Sequence, residues 1–236
     1  MASSNTSQPP QPKHSIPPSW YKLQTSTSSQ PFIALPSTAS RQPIFLTNFQ
    51  PVDAAALQAV LDIPSINDSL ISIPKPYTLA DANFWINLQL SEATAPWLQA
   101  LRSDNPETGT FIGGVSLVPA ASSSYRLPGQ DGIERESSKE YVLGYYLHPE
   151  FQRRGIMRDA VLALVAWAVA EQGVREVRVD VAIENVRSRR LVESLEGFER
   201  VEGEEEMVWP ESKGGGRKKI WSWRWRNVEG LEGSGL

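Results

Sequence analysis

Residues 144–168, GYYLHPEFQRRGIMRDAVLALVAWA, carry the pattern with the clearest chemical use. An apolar run over residues 141–147 ends at His148-Pro149. A short loop then supplies Gln152, Arg153, Arg154 and Gly155, and an apolar helical period starts at once. The first N–H groups of a helix have no intrahelical acceptor, and the dipole behind them favours negative charge. Gly155 lets the backbone approach a ligand closely, and two guanidiniums add positive charge at the rim. A pyrophosphate suits such a site. The same stretch also reads as an ordinary strand–loop–helix with solvated arginines. It is neither a Walker A loop nor a dinucleotide fingerprint, because no Lys-Ser/Thr follows the glycine and no G-x-G-x-x-G is present.

Other chemistries are excluded by what the chain lacks. Cys is absent, which removes a disulfide framework, a thiolate metal site and a thiol nucleophile. The two histidines, His14 and His148, are too few for a His-based metal site, so no metal is expected. Acids outnumber bases, 27 to 23, which argues against nucleic acid as the main partner. The longest apolar stretch, residues 156–170, is interrupted by Arg158 and Asp159 and is too short to span a bilayer. With no secretory signal visible, the chain reads as a soluble cytoplasmic protein with no membrane contact.

The loop gains meaning beside two other segments. Gln152-Arg153-Arg154-Gly155-Ile156-Met157 resembles the Q/R-x-x-G-x-G/A acetyl-CoA motif of the GNAT superfamily of N-acetyltransferases, with Met157 departing from its final Gly/Ala. Residues 184–191, ENVRSRRL, followed by Gly197-Phe198, resemble the E-N-x-x-S…G-F pattern of the branch that contains ribosomal-protein alanine acetyltransferases. Pro76-Tyr77-Thr78, Asp81-Ala82 and Trp85-Ile86 resemble that branch's P-Y-T-x-x-D-A…W-I signature. The three occur in the family's order and span roughly residues 41–226.

The resemblance implies a mixed α/β GNAT fold: a central, mostly antiparallel sheet with splayed central strands, flanked by helices. It implies that acetyl-CoA is the co-substrate, with its pyrophosphate on the amides of Gln152, Arg153, Arg154, Gly155, Ile156 and Met157. The pantetheine arm would pair with the backbone of Tyr146, Leu147 and His148. Asn185 matches a cofactor-contacting Asn, and Ser188 a Ser that protonates the departing thiolate. Relatives often carry a catalytic Glu two residues before the strand Gly; that position is Val142 here, and Glu140 is the nearest carboxylate, with Asp180 a second candidate base. The implied acceptor is a primary amine, on a peptide N-terminus or a small molecule, and the implied assembly a monomer or homodimer. The absent Glu leaves a second reading, a non-catalytic acyl-CoA-binding or protein-interaction module.

These residues need elements to hold them. Residues 1–40 are rich in Ser, Pro and Gln and read as a mostly disordered tail, tacked down at most by Trp20 and Tyr21. The domain is expected over 41–228, with a flexible insert at 119–139 and a flexible end at 229–236. Within it the periodicities predict a strand over 41–49 and a helix over 54–61 with Asp53 as N-cap. A second helix follows over 79–92, capped by Thr78. Gly113-Gly114, inside a strand over 111–118, signals a bulge or a close backbone approach. A helix from Gly155 to about Gln172 should stop at Gly173. A strand over 174–183, a helix over 186–195 and strands over 198–208 and 221–225 complete the order. Residues 213–219 read as a solvated hairpin loop. The acidic run 193–206 reads as a solvated face or an attractor of cationic amines. Trp221, Trp223 and Trp225 read as core packing, or a dimer or substrate surface.

Overall fold

The computed structural model describes residues 21–37, 41–91, 98–120 and 139–227. A ten-stranded sheet forms the frame: β1 Leu23–Thr25, β2 Pro31–Ala34, β3 Ile44–Thr47, β4 Ala100–Ser103, β5 Thr110–Pro119, β6 Glu140–Leu147, β7 Glu176–Ala182, β8 Glu199–Arg200, β9 Glu205–Val208 and β10 Arg217–Arg226. The spatial order is β1-β2-β3-β4-β5-β6-β7-β10-β8, with β9 also on β10. Every pairing is antiparallel except β6 with β7, which is parallel. The expected mixed, mostly antiparallel sheet flanked by helices is what forms.

The helices are α1 Ala54–Leu61, α2 Pro64–Asn67, α3 Leu79–Leu90, α4 Ile156–Gln172 and α5 Val186–Glu193. One core lies between the sheet and α4. Val177, Val179 and Val181 of β7 and Trp223 and Trp225 of β10 meet Val161, Leu164 and Val165 there. Each such side chain removed from water contributes about 1.5–3 kcal/mol. The second core lies under α1 and α3, where Leu57, Leu61, Ala82 and Ile86 pack against Phe49, Phe111 and Tyr146. Thr78 and Asp81 form a reciprocal capping box that starts α3 where expected. Gly173 takes the left-handed conformation that ends α4, at φ 64°.

Several expectations are corrected. The sheet starts before residue 41: β1 and β2 form a hairpin whose Ile33, with the neighbouring Leu35, is buried in the main core. Tyr21 packs on that core and donates its hydroxyl to Glu171 of α4 at 3.3 Å. Trp20, the rest of the tail, residues 121–138 of the insert and the stretch 229–236 lie outside the described residues. Asp53 is not the side-chain cap of α1. Its carboxylate takes both terminal nitrogens of Arg102, at 2.8 and 2.5 Å, and the amide of Gln50. The strand expected over 198–208 is split into β8 and β9 around Gly203, whose φ is 101°. The acidic run is a cross-strand ladder as much as a solvated face: Glu204 pairs with Lys219, Glu205 with Arg178 and Glu206 with Arg217.

The 213–219 segment is no solvated loop, since Arg217–Lys219 begin β10 and Lys213 is buried. The ammonium of Lys213 donates to the carbonyls of Asn67 and Leu70, tying the β9–β10 hairpin to the segment after α1. Burial lowers its pKa from 10.5 to about 8. Across that interval the unfolded chain holds a proton that the folded chain has lost, so stability rises with pH. Above about pH 10 the sign reverses, because burial raises Tyr77 and Tyr145 to about 12 and the unfolded chain releases those protons first. Lys213→Met should flatten the rise between pH 8 and 10 while leaving the fall above it, as read from urea midpoints.

Candidate functional site

β6 and β7 pair over only three residues, Glu140–Val142 with Glu176–Arg178. Beyond Val142 they separate, and β6 stays bonded to β5 alone, as far as Leu147 opposite Gly113. His148 donates its amide to Ile112 of β5, and Glu140 accepts from Ala120 on the same side. In an extended strand successive residues turn their polar groups to opposite edges. Even-numbered residues of β6 therefore bond β5, and Leu143, Tyr145 and Leu147 turn theirs into the opening. This corrects the expected set: the backbone groups of Tyr146 and His148 face β5, and only Leu147 of the three faces the gap.

The glycine pair meets both halves of its expectation. Leu101 pairs with Gly113 and Arg102 with Phe111, so Ile112 is an extra residue bulging from β5. The β6 backbone comes close at Gly113, where a Cβ would run into the Tyr146 carbonyl and the Leu147 Cα, and a side chain on Gly114 would collide with the Tyr146 ring.

The opening leads to the start of α4. Arg153 and Gly155 both have positive φ, 61° and 74°, so the loop curls and presents its amides ahead of the helix. A Cβ on Gly155 would have room, its nearest neighbour being Arg41 Nη1 at 3.7 Å; the backbone angle is what selects glycine. Arg154 lies over the Phe151 ring. Gln152 turns its side-chain amide back to the Leu147 carbonyl at 2.8 Å, and its oxygen accepts from Arg187 at 3.5 Å. Gln152 thus braces the loop against β6 and α5. Met157, at the family's small-residue position, is buried in the core below the helix start. Arg158 donates to the Ser194 carbonyl.

On the far lip of the opening, Asn185 caps α5 by accepting the Ser188 amide at 3.1 Å. The Ser188 hydroxyl lies 2.5 Å from that of Tyr145, which crosses the gap from β6. Burial raises Tyr145 to about 12, so it stays a neutral phenol at physiological pH. Ser188, Asn185, Tyr145 and the 152–157 loop thus converge. Glu140 does not join them: it sits at the closed end, about 16 Å along the strand from Tyr145. Asp180 is held by Arg178 at 2.7 Å and Ser222 at 2.6 Å. Nothing in the sequence marks Tyr145, one aromatic of an apolar strand, 43 residues from its partner.

Trp221 is half-buried, its ring between the guanidiniums of Arg200 at 3.7 Å and Arg189 at 4.8 Å, while Trp223 and Trp225 are core. Among the described residues no helix is long and apolar enough to cross a membrane.

Comparison with known proteins bears on this geometry. Residues 44–198 match the family profile described as an acetyltransferase (GNAT) domain. A search of curated proteins finds no match. Among solved structures, a ribosomal-protein-S5-alanine acetyltransferase from Vibrio fischeri is 17% identical with a TM-score of 0.59, over 83% of this chain and 97% of that one. The spermidine N-acetyltransferase of Vibrio cholerae, solved with CoA and spermine, is 16% identical with a TM-score of 0.55, over 77% and 94%. YncA of Salmonella typhimurium, a putative acetyltransferase solved with acetyl-CoA, is 19% identical with a TM-score of 0.53, over 79% and 94%. At these identities the likeness is one of fold.

Proposed function

The chain belongs to the GNAT acetyltransferase family, and from that premise we propose that it transfers the acetyl group of acetyl-CoA directly to a primary amine, on a peptide N-terminus or a small molecule. The observation that carries this is the gap between β6 and β7, which ends at a helix start with two residues of positive φ. A pantetheine arm running from a thioester to a pyrophosphate fits that gap and its donor set.

Acetyl-CoA, when bound, supplies an activated acyl group. The chain's residues bind and orient around it. Backbone amides of residues 152–157 hold the pyrophosphate, aided by the positive end of α4. Leu143, Tyr145 and Leu147 offer backbone groups along the gap. The side-chain oxygen of Asn185 is committed to its cap, leaving the side-chain nitrogen as a donor to the ligand. The Tyr145 phenol is the more acidic hydroxyl of its pair, so it donates to the Ser188 oxygen. The Ser188 hydrogen is then free to turn into the gap and pass to the departing sulfur as the C–S bond breaks, while the proton that the amine loses on forming the C–N bond returns through water to the Tyr145–Ser188 pair, so that both hydroxyls end neutral. Ser188→Ala should leave acetyl-CoA affinity unchanged and lower turnover about a hundredfold. Unchanged turnover would remove Ser188 from the mechanism.

The test of the reading is a calorimetric titration of the chain with acetyl-CoA, followed by mass analysis of amines and N-terminal peptides incubated with both. Micromolar binding and a product heavier by one acetyl group are expected. Binding without any acetylated product would favour the module that holds acyl-CoA and does not turn over, to which Val142 in place of a carboxylate points. No binding by the folded chain would end the acyl-CoA reading.

A further inference from the structure

Arg41 lies 113 residues from the loop before α4, on the approach to β3, and its side chain is only 6% exposed. One guanidinium nitrogen, Nη1, donates to the Arg154 carbonyl at 3.2 Å and to the Asp159 carboxylate at 2.8 Å. The same nitrogen is the nearest neighbour of Gly155. Its Nε is buried and has no partner among the described residues. Burying a guanidinium is costly unless its bonds do something at that place. These bonds reach the peptide in the middle of the loop and the carboxylate in the first turn of the helix.

We propose that Arg41 is the positioning residue of the anion cradle. A trans peptide is planar, with its carbonyl and the following N–H on opposite sides. Holding the Arg154 carbonyl toward Arg41, behind the loop, turns the Gly155 N–H outward to the anion. Asp159 is the one acid of the first turn, and its negative charge opposes an anionic ligand there. Arg41 pairs with its Oδ2 at 2.8 Å, the closer of two cations, Arg158 standing 3.8 Å from Oδ1. Arg41 touches no ligand group in this arrangement and acts through the amide and the carboxylate that it holds. The inference rests on the reading of the loop as a pyrophosphate site.

Acetyl-CoA and pantetheine separate the two ideas, because pantetheine lacks the pyrophosphate. By calorimetry, Arg41→Gln should weaken acetyl-CoA about tenfold to a hundredfold, the scale of one or two charge-assisted hydrogen bonds. Pantetheine affinity should stay within about twofold. Adding Asp159→Asn should recover part of the loss by removing a carboxylate left with only the more distant Arg158 beside it. Arg41→Lys, which keeps a buried cation, serves if Arg41→Gln does not fold, and should show the same selectivity with a smaller loss. Wild type that binds neither compound defeats the pyrophosphate reading itself. Wild type that binds acetyl-CoA while a folded variant matches it, or loses both compounds equally, defeats the role of Arg41 alone.

Discussion

Gly155→Glu is expected to reduce acetyl-CoA affinity by more than about a hundredfold, some 3 kcal/mol or more. Two separate causes add. The backbone at residue 155 has φ 74°, where a side chain with a Cβ costs roughly 1–2 kcal/mol. The carboxylate would also stand where the loop amides and the helix dipole gather an anion, so it competes with the phosphates and repels them. Gly155→Asn adds a side chain with neither cause, because Asn tolerates this conformation and carries no charge, and should lose little. Titration of the three proteins with acetyl-CoA, with circular dichroism to show that each is folded, measures the difference. A Glu variant that binds like wild type would mean that the phosphates sit elsewhere.

The largest effect on stability is expected from Asp53→Ala, which should cost about 3–5 kcal/mol. Arg102 and Asp53 are each 2% exposed in their side chains. Arg102 keeps Thr47 Oγ1 at 3.1 Å and the Gly109 carbonyl at 3.4 Å, both neutral, after the carboxylate is gone. An unpaired guanidinium would then remain inside the domain. The double variant Asp53→Leu/Arg102→Met, which removes both charges, should recover most of the loss. Glu206→Ala, which breaks the exposed pair with Arg217, should cost less than about 1 kcal/mol. Chemical denaturation of the four proteins checks the ranking.

What could be read from the sequence was local. α1 matches its expected bounds, 54–61, because the apolar period and Pro64 sit side by side in the chain. α4 and its stop at Gly173 were legible for the same reason, as was the loop before it. The hairpin of β1 and β2 is hidden because its apolar run, residues 32–35, is only four residues long, lies between two prolines and follows a stretch of Ser, Thr and Gln. β4 was missed because its buried Arg102 breaks the apolar pattern, and that arginine's partner lies 49 residues away. Asp53 after Pro51-Val52 looks like a cap whether or not a distant guanidinium claims it. The site divides in the same way: the 152–157 loop is contiguous, whereas Tyr145–Ser188 and Arg41–Arg154 pair across 43 and 113 residues. The parting of β6 from β7 is a matter of pairing, to which no residue type is confined.

That parting has a consequence for the domain as a material. Two halves of one sheet are laced together by three residue pairs and then diverge, with backbone groups of Leu143, Tyr145 and Leu147 turned toward the gap. A ligand arm lying there acts as a strand the chain does not encode. On the proposed reading, acetyl-CoA supplies that strand, and the domain should resist unfolding better loaded than unloaded, by an amount that grows with ligand concentration.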